Sequence, residues 1–245
     1  LRVLQTCRLA FAGTSLRAIP QLQAALLGFT AMVNLTLDFG GCDGIKDISS
    51  LAMLSRLRLL EDLTLNFRGA VLTDLNVLGP SLGGLIKLEK LSLDFSGCQL
   101  LADIEGLKAL SSLKQLKELR LQLRGAPLIK DGRVLGAVVS GLSLLEVLQL
   151  DCSECASLAT MKPFTGVRHL KECGLDFRGT AVKHVNVFGQ GQDVAAKVET
   201  LSLGFLECAN IVELFGLESL ARLKDLKNFE CKLSDVDAAA TDAKG

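Results

Sequence analysis

Leu35-Thr36-Leu37-Asp38-Phe39 returns as Leu63-Thr64-Leu65-Asn66-Phe67 and again as Leu91-Ser92-Leu93-Asp94-Phe95, each copy starting 28 residues after the last. Working outward, the string continues as Leu119 to Leu123, Leu148 to Cys152, Cys173 to Phe177, Leu201 to Phe205 and Phe229 to Leu233. Cys7 to Phe11 is the first copy. The nine starts are 7, 35, 63, 91, 119, 148, 173, 201 and 229, so six of the eight intervals are 28 and the other two are 29 and 25. Chance clustering of leucine does not hold register over that length, and a fixed period of this size signals a stacked array.

Each copy alternates apolar and other residues, the period-2 pattern of a short strand. Between strands the spacing changes. Ile104, Leu107, Leu110, Leu113 and Leu116 recur every third residue, which reads as a helical stripe. Asp47, Asp74 and Asp103 stand just before such stretches, where a side-chain oxygen can cap a first turn. One coil is therefore strand, loop, helix and return. A lone coil cannot cover its apolar face, so neighbours must stack. The fold class is α/β: a curved solenoid of about nine coils, with parallel strands on the concave side and helices on the convex side. Residues 1–234 form this array, and the small and charged residues 235–245 read as a frayed tail.

A second period of about 56 lies over the first. One coil type carries Cys42, Cys98, Cys155 or Cys208 three residues after the third apolar strand slot. The other reads Phe67-Arg68-Gly69, Leu123-Arg124-Gly125 or Phe177-Arg178-Gly179, with Phe11-Ala12-Gly13 a weaker member. This alternation suggests growth by duplication of a two-coil unit.

These residues resemble the leucine-rich repeat superfamily over nearly the whole chain. The run L-x-L-D-F-x-G-C-x-x-I-x-D from Leu35 to Asp47 is similar to the cysteine-containing repeats of F-box type proteins. The alternation of two coil types resembles the ribonuclease inhibitor class. The usual motif puts Asn or Cys three residues after the second strand leucine. Here Gly40, Ser96 or Arg68 holds that place, and the Cys follows two residues later, after an added Phe. The resemblance implies an arc used for protein recognition.

Composition narrows the functions. The 245 residues hold 27 basic and 27 acidic side chains, which leaves no basic footprint for nucleic acid. No stretch is long and apolar enough for a membrane span. There are eleven Phe but neither Trp nor Tyr, the skew of one slot filled many times. No glycine-rich phosphate loop, H-E-x-x-H or EF-hand pattern occurs, and no Ser-His-Asp or Cys-His grouping can be argued for His169 or His184. The expectation is a protein that is not an enzyme and holds no cofactor and no metal.

Cys152-Ser153-Glu154-Cys155 has redox or zinc spacing, but the repeat explains each cysteine separately. Cys152 takes the slot of Phe39 and Phe95, and Cys155 that of Cys42 and Cys98. The ladder cysteines lie two coils apart, roughly 10 Å at ordinary strand spacing, against the roughly 4.4 to 6.8 Å between Cα atoms that a disulfide spans. Eight unpaired thiols fit a reducing compartment, the cytoplasm or nucleus. The Asn34-Leu35-Thr36 glycosylation triplet is discounted on the same ground.

The residues between strand leucines point onto the concave sheet. One row reads Ala10, Asp38, Asn66, Asp94, Gln122, Asp151, Asp176, Gly204 and Lys232. The row after the Phe slot reads Ala12, Gly40, Arg68, Ser96, Arg124, Ser153, Arg178, Leu206 and Ser234. Stacked, they make an acidic stripe beside an arginine stripe. The candidate contact surface for a partner protein is Asp38, Arg68, Asp94, Arg124, Asp151, Asp176 and Arg178. In the competing reading the arginines only neutralise carboxylates on neighbouring strands. Two other roles stay open: the substrate-recognition part of an F-box-type ubiquitin ligase adaptor, or a regulatory or structural array of a larger protein. Leu1 and Leu4 match Leu57 and Leu60, so the chain opens inside a repeat. It reads as a piece of a longer array, or one that stacks end to end on itself.

Overall fold

The computed structural model describes residues 3–184, 188, 197–211 and 217–233. Nine strands, β1 (Thr6–Ala10), β2 (Asn34–Asp38), β3 (Asp62–Asn66), β4 (Lys90–Asp94), β5 (Glu118–Gln122), β6 (Val147–Asp151), β7 (Glu172–Asp176), β8 (Thr200–Phe205) and β9 (Asn228–Leu233), lie side by side in chain order. Every pairing is parallel, and equivalent residues face one another: Leu35 meets Leu63, and Leu63 meets Leu91. The 29- and 25-residue intervals leave the register intact, because Leu119 meets Leu148 and Leu148 meets Cys173. The expected 235–245 tail and Leu1 lie outside the described residues.

The inward side chains make continuous rows. Leu37, Leu65 and Leu93 are wholly buried, as are Phe39, Phe67 and Phe95. The phenyl rings stack along the array, Phe11 on Phe39 at 5.3 Å, Phe39 on Phe67 at 5.2 Å and Phe67 on Phe95 at 6.1 Å. Leu123 and Cys152 interrupt the column, and Phe177 on Phe205 resumes it at 5.6 Å. Each stacked pair adds about 0.5–1.5 kcal/mol beyond its burial.

The opposite side of the stack is less helical than the stripe suggests. Among the described residues only α1 (Pro20–Leu27), α2 (Leu78–Leu82) and α3 (Arg133–Gly141) are α-helices, and Ser49–Arg56, Glu105–Ser112 and Leu217–Arg222 are 3₁₀-helices. The reason is in the spacing. A strict period of three, as at Leu107 and Leu110, matches the three residues per turn of a 3₁₀-helix, whereas an α-helix needs 3.6. Asp47, Asp74 and Asp103 do bond ahead of these segments, accepting from the backbone N–H of Ser49 (2.7 Å), Asn76 (3.0 Å) and Glu105 (2.8 Å). Asp131 does the same for Arg133 at 2.9 Å, ahead of α3.

The double period has a physical basis. The Cys42 thiol donates to the Phe11 carbonyl of the preceding coil at 3.1 Å, Cys98 to Phe67 at 3.3 Å, Cys155 to Leu123 at 3.1 Å and Cys208 to Phe177 at 3.0 Å. In the alternate coils the same slot holds a small side chain, Thr14, Ala70, Ala126 or Thr180, which leaves room for the sulfur. Coils therefore come in acceptor–donor pairs.

Candidate functional site

The outward face of the sheet carries the stripes, and local bonding defines what they do. Asp38 Oδ1 accepts from the backbone N–H of Gly40 at 3.0 Å, Asp94 Oδ1 from Ser96 at 2.8 Å, Asp151 Oδ1 from Ser153 at 2.8 Å and Asp176 Oδ1 from Arg178 at 2.9 Å. Asn66 does likewise for Arg68 at 2.9 Å. The acid row thus closes the turn at the end of each strand, as short polar side chains do two residues on. Along the row, Asn66 Nδ2 also donates to Asp38 Oδ1 at 2.8 Å.

The arginines are less regular. Arg124 reaches Glu154 at 2.6 Å, and that carboxylate raises the guanidinium pKa. Arg178 lies 3.7 Å from Asp176. Arg68 is exposed. Arginine therefore offsets the aspartates only in the central coils: Arg178 lies against Asp176, and Arg124, paired with Glu154, also feels the charges of Asp151 and Asp176. Ser153 departs from the expected outward row: it is wholly buried, and its hydroxyl donates to Asp151 at 2.6 Å. The chain has already begun to turn there, so strand alternation no longer governs direction.

Of the seven candidate residues, the register brings Asp151 and Asp176 side by side on β6 and β7. Asp38, Arg68 and Asp94 lie on the coils of β2 to β4. A hollow sits further along the sheet. A depression of about 320 Å³ is lined by Gln122, Gln149, Asp151, Glu172, Gly174, Asp176, Ser202, Gly204 and Lys232. Its floor exists because two slots are glycine. A Cβ at Gly174 would collide with the Gln149 amide, and one at Gly204 would stand 2.8 Å from Asp176 Oδ1. Gln149, Glu172, Gly174 and Ser202 were outside the expected surface. Gly174 alone leaves a signal in the sequence, a missing side chain in a row that reads Thr36, Thr64, Ser92, Arg120, Gln149 and Ser202 elsewhere; Glu172 and Ser202 match residues of other coils.

The rim above the depression departs from the repeat as well. Six coils place a glycine after the row of arginines, at φ between 67° and 77° in Gly13, Gly41, Gly69, Gly97, Gly125 and Gly179. In the other two coils whose turn is described, Glu154 and Glu207 adopt the same left-handed backbone at 61° and 59°. A side chain there is strained.

A different row binds the coils on the other margin of the sheet. Glu89 pairs with Lys117 at 2.8 Å, Glu146 with Lys171 at 2.7 Å and Glu199 with Lys227 at 2.8 Å. Lys171 and Lys227 hold the Glu146 and Glu199 carboxylates below the ordinary range. All six side chains are solvent-facing, so the pairs set register more than they stabilise.

The cysteines occupy the structural slots. Cys152 sits wholly buried in the Phe position and Cys155 in the thiol position. Burial pushes the Cys98 and Cys173 thiols up to about 12 and Cys155 to about 11. Such thiols hold their protons at neutral pH, the opposite of a reactive cysteine. No helix among the described residues is long and apolar enough to cross a membrane.

No family model matches the chain, and no curated protein sequence does. Solved structures are similar at low identity. The internalin inlF of Listeria monocytogenes is 17% identical with a TM-score of 0.47, the alignment covering 85% of this chain and 57% of that one. The internalin C2 of the same organism is 16% identical with a TM-score of 0.42, covering 94% and 80%. TLR13, in a complex with a single-stranded RNA, is 19% identical with a TM-score of 0.38, covering 86% and 33%. This chain thus spans little more than half of the inlF chain and a third of the TLR13 chain. The unbroken parallel ladder, its constant register and its buried leucine and phenylalanine rows together make the fold a leucine-rich repeat solenoid.

Proposed function

We propose that this protein is a non-enzymatic recognition scaffold that binds another protein through the outward face of its sheet. The observation that carries this reading is the face itself. Rows of half-buried polar side chains, one of them held in place by its own strand-end hydrogen bonds, lie open with no helix of the described residues packed over them. Pre-ordered side chains lose little freedom when a partner docks. Asp38, Arg68, Asp94, Arg124, Asp151, Asp176 and Arg178 form the contact surface, with the depression at its far end. A polypeptide partner is favoured over nucleic acid because carboxylates outnumber cations in the depression and the chain as a whole is neutral. The protein works in a reducing compartment, the cytoplasm or nucleus. Supporting this, the sulfurs of Cys42, Cys98, Cys155 and Cys208 donate to backbone carbonyls, a role that oxidation would end.

The test combines charge reversal with site-specific cross-linking. Arg68→Glu, Arg124→Glu and Arg178→Glu together abolish partner capture and leave helicity and melting unchanged. A photo-reactive group placed at Thr64 or Gln122 on the sheet face captures the partner, and one at Arg58 or Lys114 on the opposite side does not. Capture that survives the triple variant refutes the surface.

A further inference from the structure

We propose that the depression over Gly174 and Gly204 receives an arginine side chain from the bound partner segment, an inference that rests on the sheet face being the recognition surface. The sheet row that contains Asp151 separates its acids almost everywhere. Asp38 neighbours Asn66, Asn66 neighbours Asp94, Asp94 neighbours Gln122, and Gln122 neighbours Asp151. Only then do two carboxylates meet, Asp151 beside Asp176, on strands about 4.8 Å apart. Like charges directly opposite on neighbouring strands repel. On the far side of Asp176 the row continues with Gly204 instead of an amide. In the coils of β2 and β3 an amide does this work, Asn66 bridging to Asp38 at 2.8 Å.

The cations nearby are already committed. Lys232 pairs with Glu230 at 3.0 Å, Arg124 bonds Glu154 at 2.6 Å and reaches Asp151 and Asp176 only through its longer-range field, and Arg178 approaches only the outer oxygen of Asp176, at 3.7 Å. A third carboxylate, Glu172, lines the same hollow. The space of about 320 Å³ lies at the small end of ligand pockets, which run from roughly 300 to 1,000 Å³. It suits one long side chain lying across the two glycines. A guanidinium matches this lining better than an ammonium does. Its planar donors can divide between two adjacent carboxylates and the Gln149 carbonyl. The partner segment runs across the strands, with its arginine pointing into the sheet.

The experiment uses the full chain and libraries of extended nonapeptides carrying arginine, lysine, citrulline or glutamate at the centre, read by fluorescence polarisation. Arginine-centred peptides bind at least about tenfold tighter than their citrulline counterparts. Gly204→Asn puts the side chain found at Asn66 into this row, and the Asp176 carboxylate must move aside for the new Cβ, so the hollow is filled and Asp176 occupied. It removes the arginine preference while the chain still melts as one cooperative unit. Asp151→Asn with Asp176→Asn keeps both turn-closing oxygens and also removes it. Equal binding of arginine and citrulline peptides, arginine binding that survives Gly204→Asn, or displacement of the peptide by single-stranded RNA each overturns the inference. Peptides that cross-link to Thr64 or Gln122 without an arginine preference sink this inference and leave the recognition surface standing. Peptides of no composition on the sheet face would remove both.

Discussion

The coils of β2 to β4 and those of β6 to β8 share one register and one core, yet they fill their slots differently. In the first group each slot follows the repeat: phenylalanines stack without a break, Gly41, Gly69 and Gly97 take the left-handed turn, and the sheet row reads Asp, Asn, Asp. In the second group Cys152 replaces the ring, Glu154 and Glu207 replace the glycines, and Gly174 and Gly204 open a hole where the first group has side chains. Duplication copies what the stack needs. Departures that carry strain or leave space are then the positions with a separate reason to exist.

The largest way to break this comparison is through the regular half. Phe67→Ala removes a ring held between Phe39 and Phe95 and lowers stability by about 3–5 kcal/mol in denaturant melts. A loss under about 1 kcal/mol would show that the phenylalanine column is not the spine of these coils.

Two substitutions of similar, smaller size act with opposite sign. Cys98→Ala deletes a buried sulfur and its donation to Phe67, destabilising by about 1 kcal/mol. Glu154→Gly restores the turn residue of the other coils and raises stability by about 1 kcal/mol, a melting shift of roughly 2–4 °C. If it lowers the melting point instead, the Arg124–Glu154 contact outweighs the backbone strain.

The thiols sharpen the comparison without mutation. In the folded protein a maleimide labels Cys7 and Cys231, which are partly exposed, and spares the six buried cysteines until denaturant is added. Rapid labelling of Cys152 in native buffer would show that the interrupted column is loosely packed.

The smallest effect is on pH. The Ser49 N–H holds the Asp47 carboxyl below its ordinary range, and bonds from Arg133 do the same for Asp131. A depressed carboxylate contributes stability that is present above about pH 4 and lost as pH falls through its lower folded value. Asp62, raised by burial, works in the opposite direction. Thermal melts from about pH 6 down to about pH 2 should therefore fall, with Asp47→Ala flattening the slope slightly.

The sequence made the stack legible because packing is repeated. Leu37, Leu65 and Leu93 announce one buried row by position alone, and Cys152 was assignable to the Phe slot on register. The helix type was present in the period of three from Ile104 to Leu116, but the difference between 3.0 and 3.6 residues per turn shows only when a run is long. The site was less legible. Aspartate at the end of a strand looks the same whether it faces a partner or closes its own turn, and only the N–H of Gly40, Ser96 or Ser153 decides. Gly174 and Gly204 become a hollow only through what Gln149 and Asp176 do on the neighbouring strands. A single strand read alone carries no trace of that.

The sulfur-to-carbonyl contacts give this array a parity. Donor coils hold cysteine and acceptor coils hold alanine or threonine, so deleting one coil would set two of a kind face to face, sulfur against sulfur or two small groups across a gap. Deleting two would leave every contact of this sort as it was. Lineages of such a protein should therefore differ in length by even numbers of coils, and shortened designs should keep to the same rule.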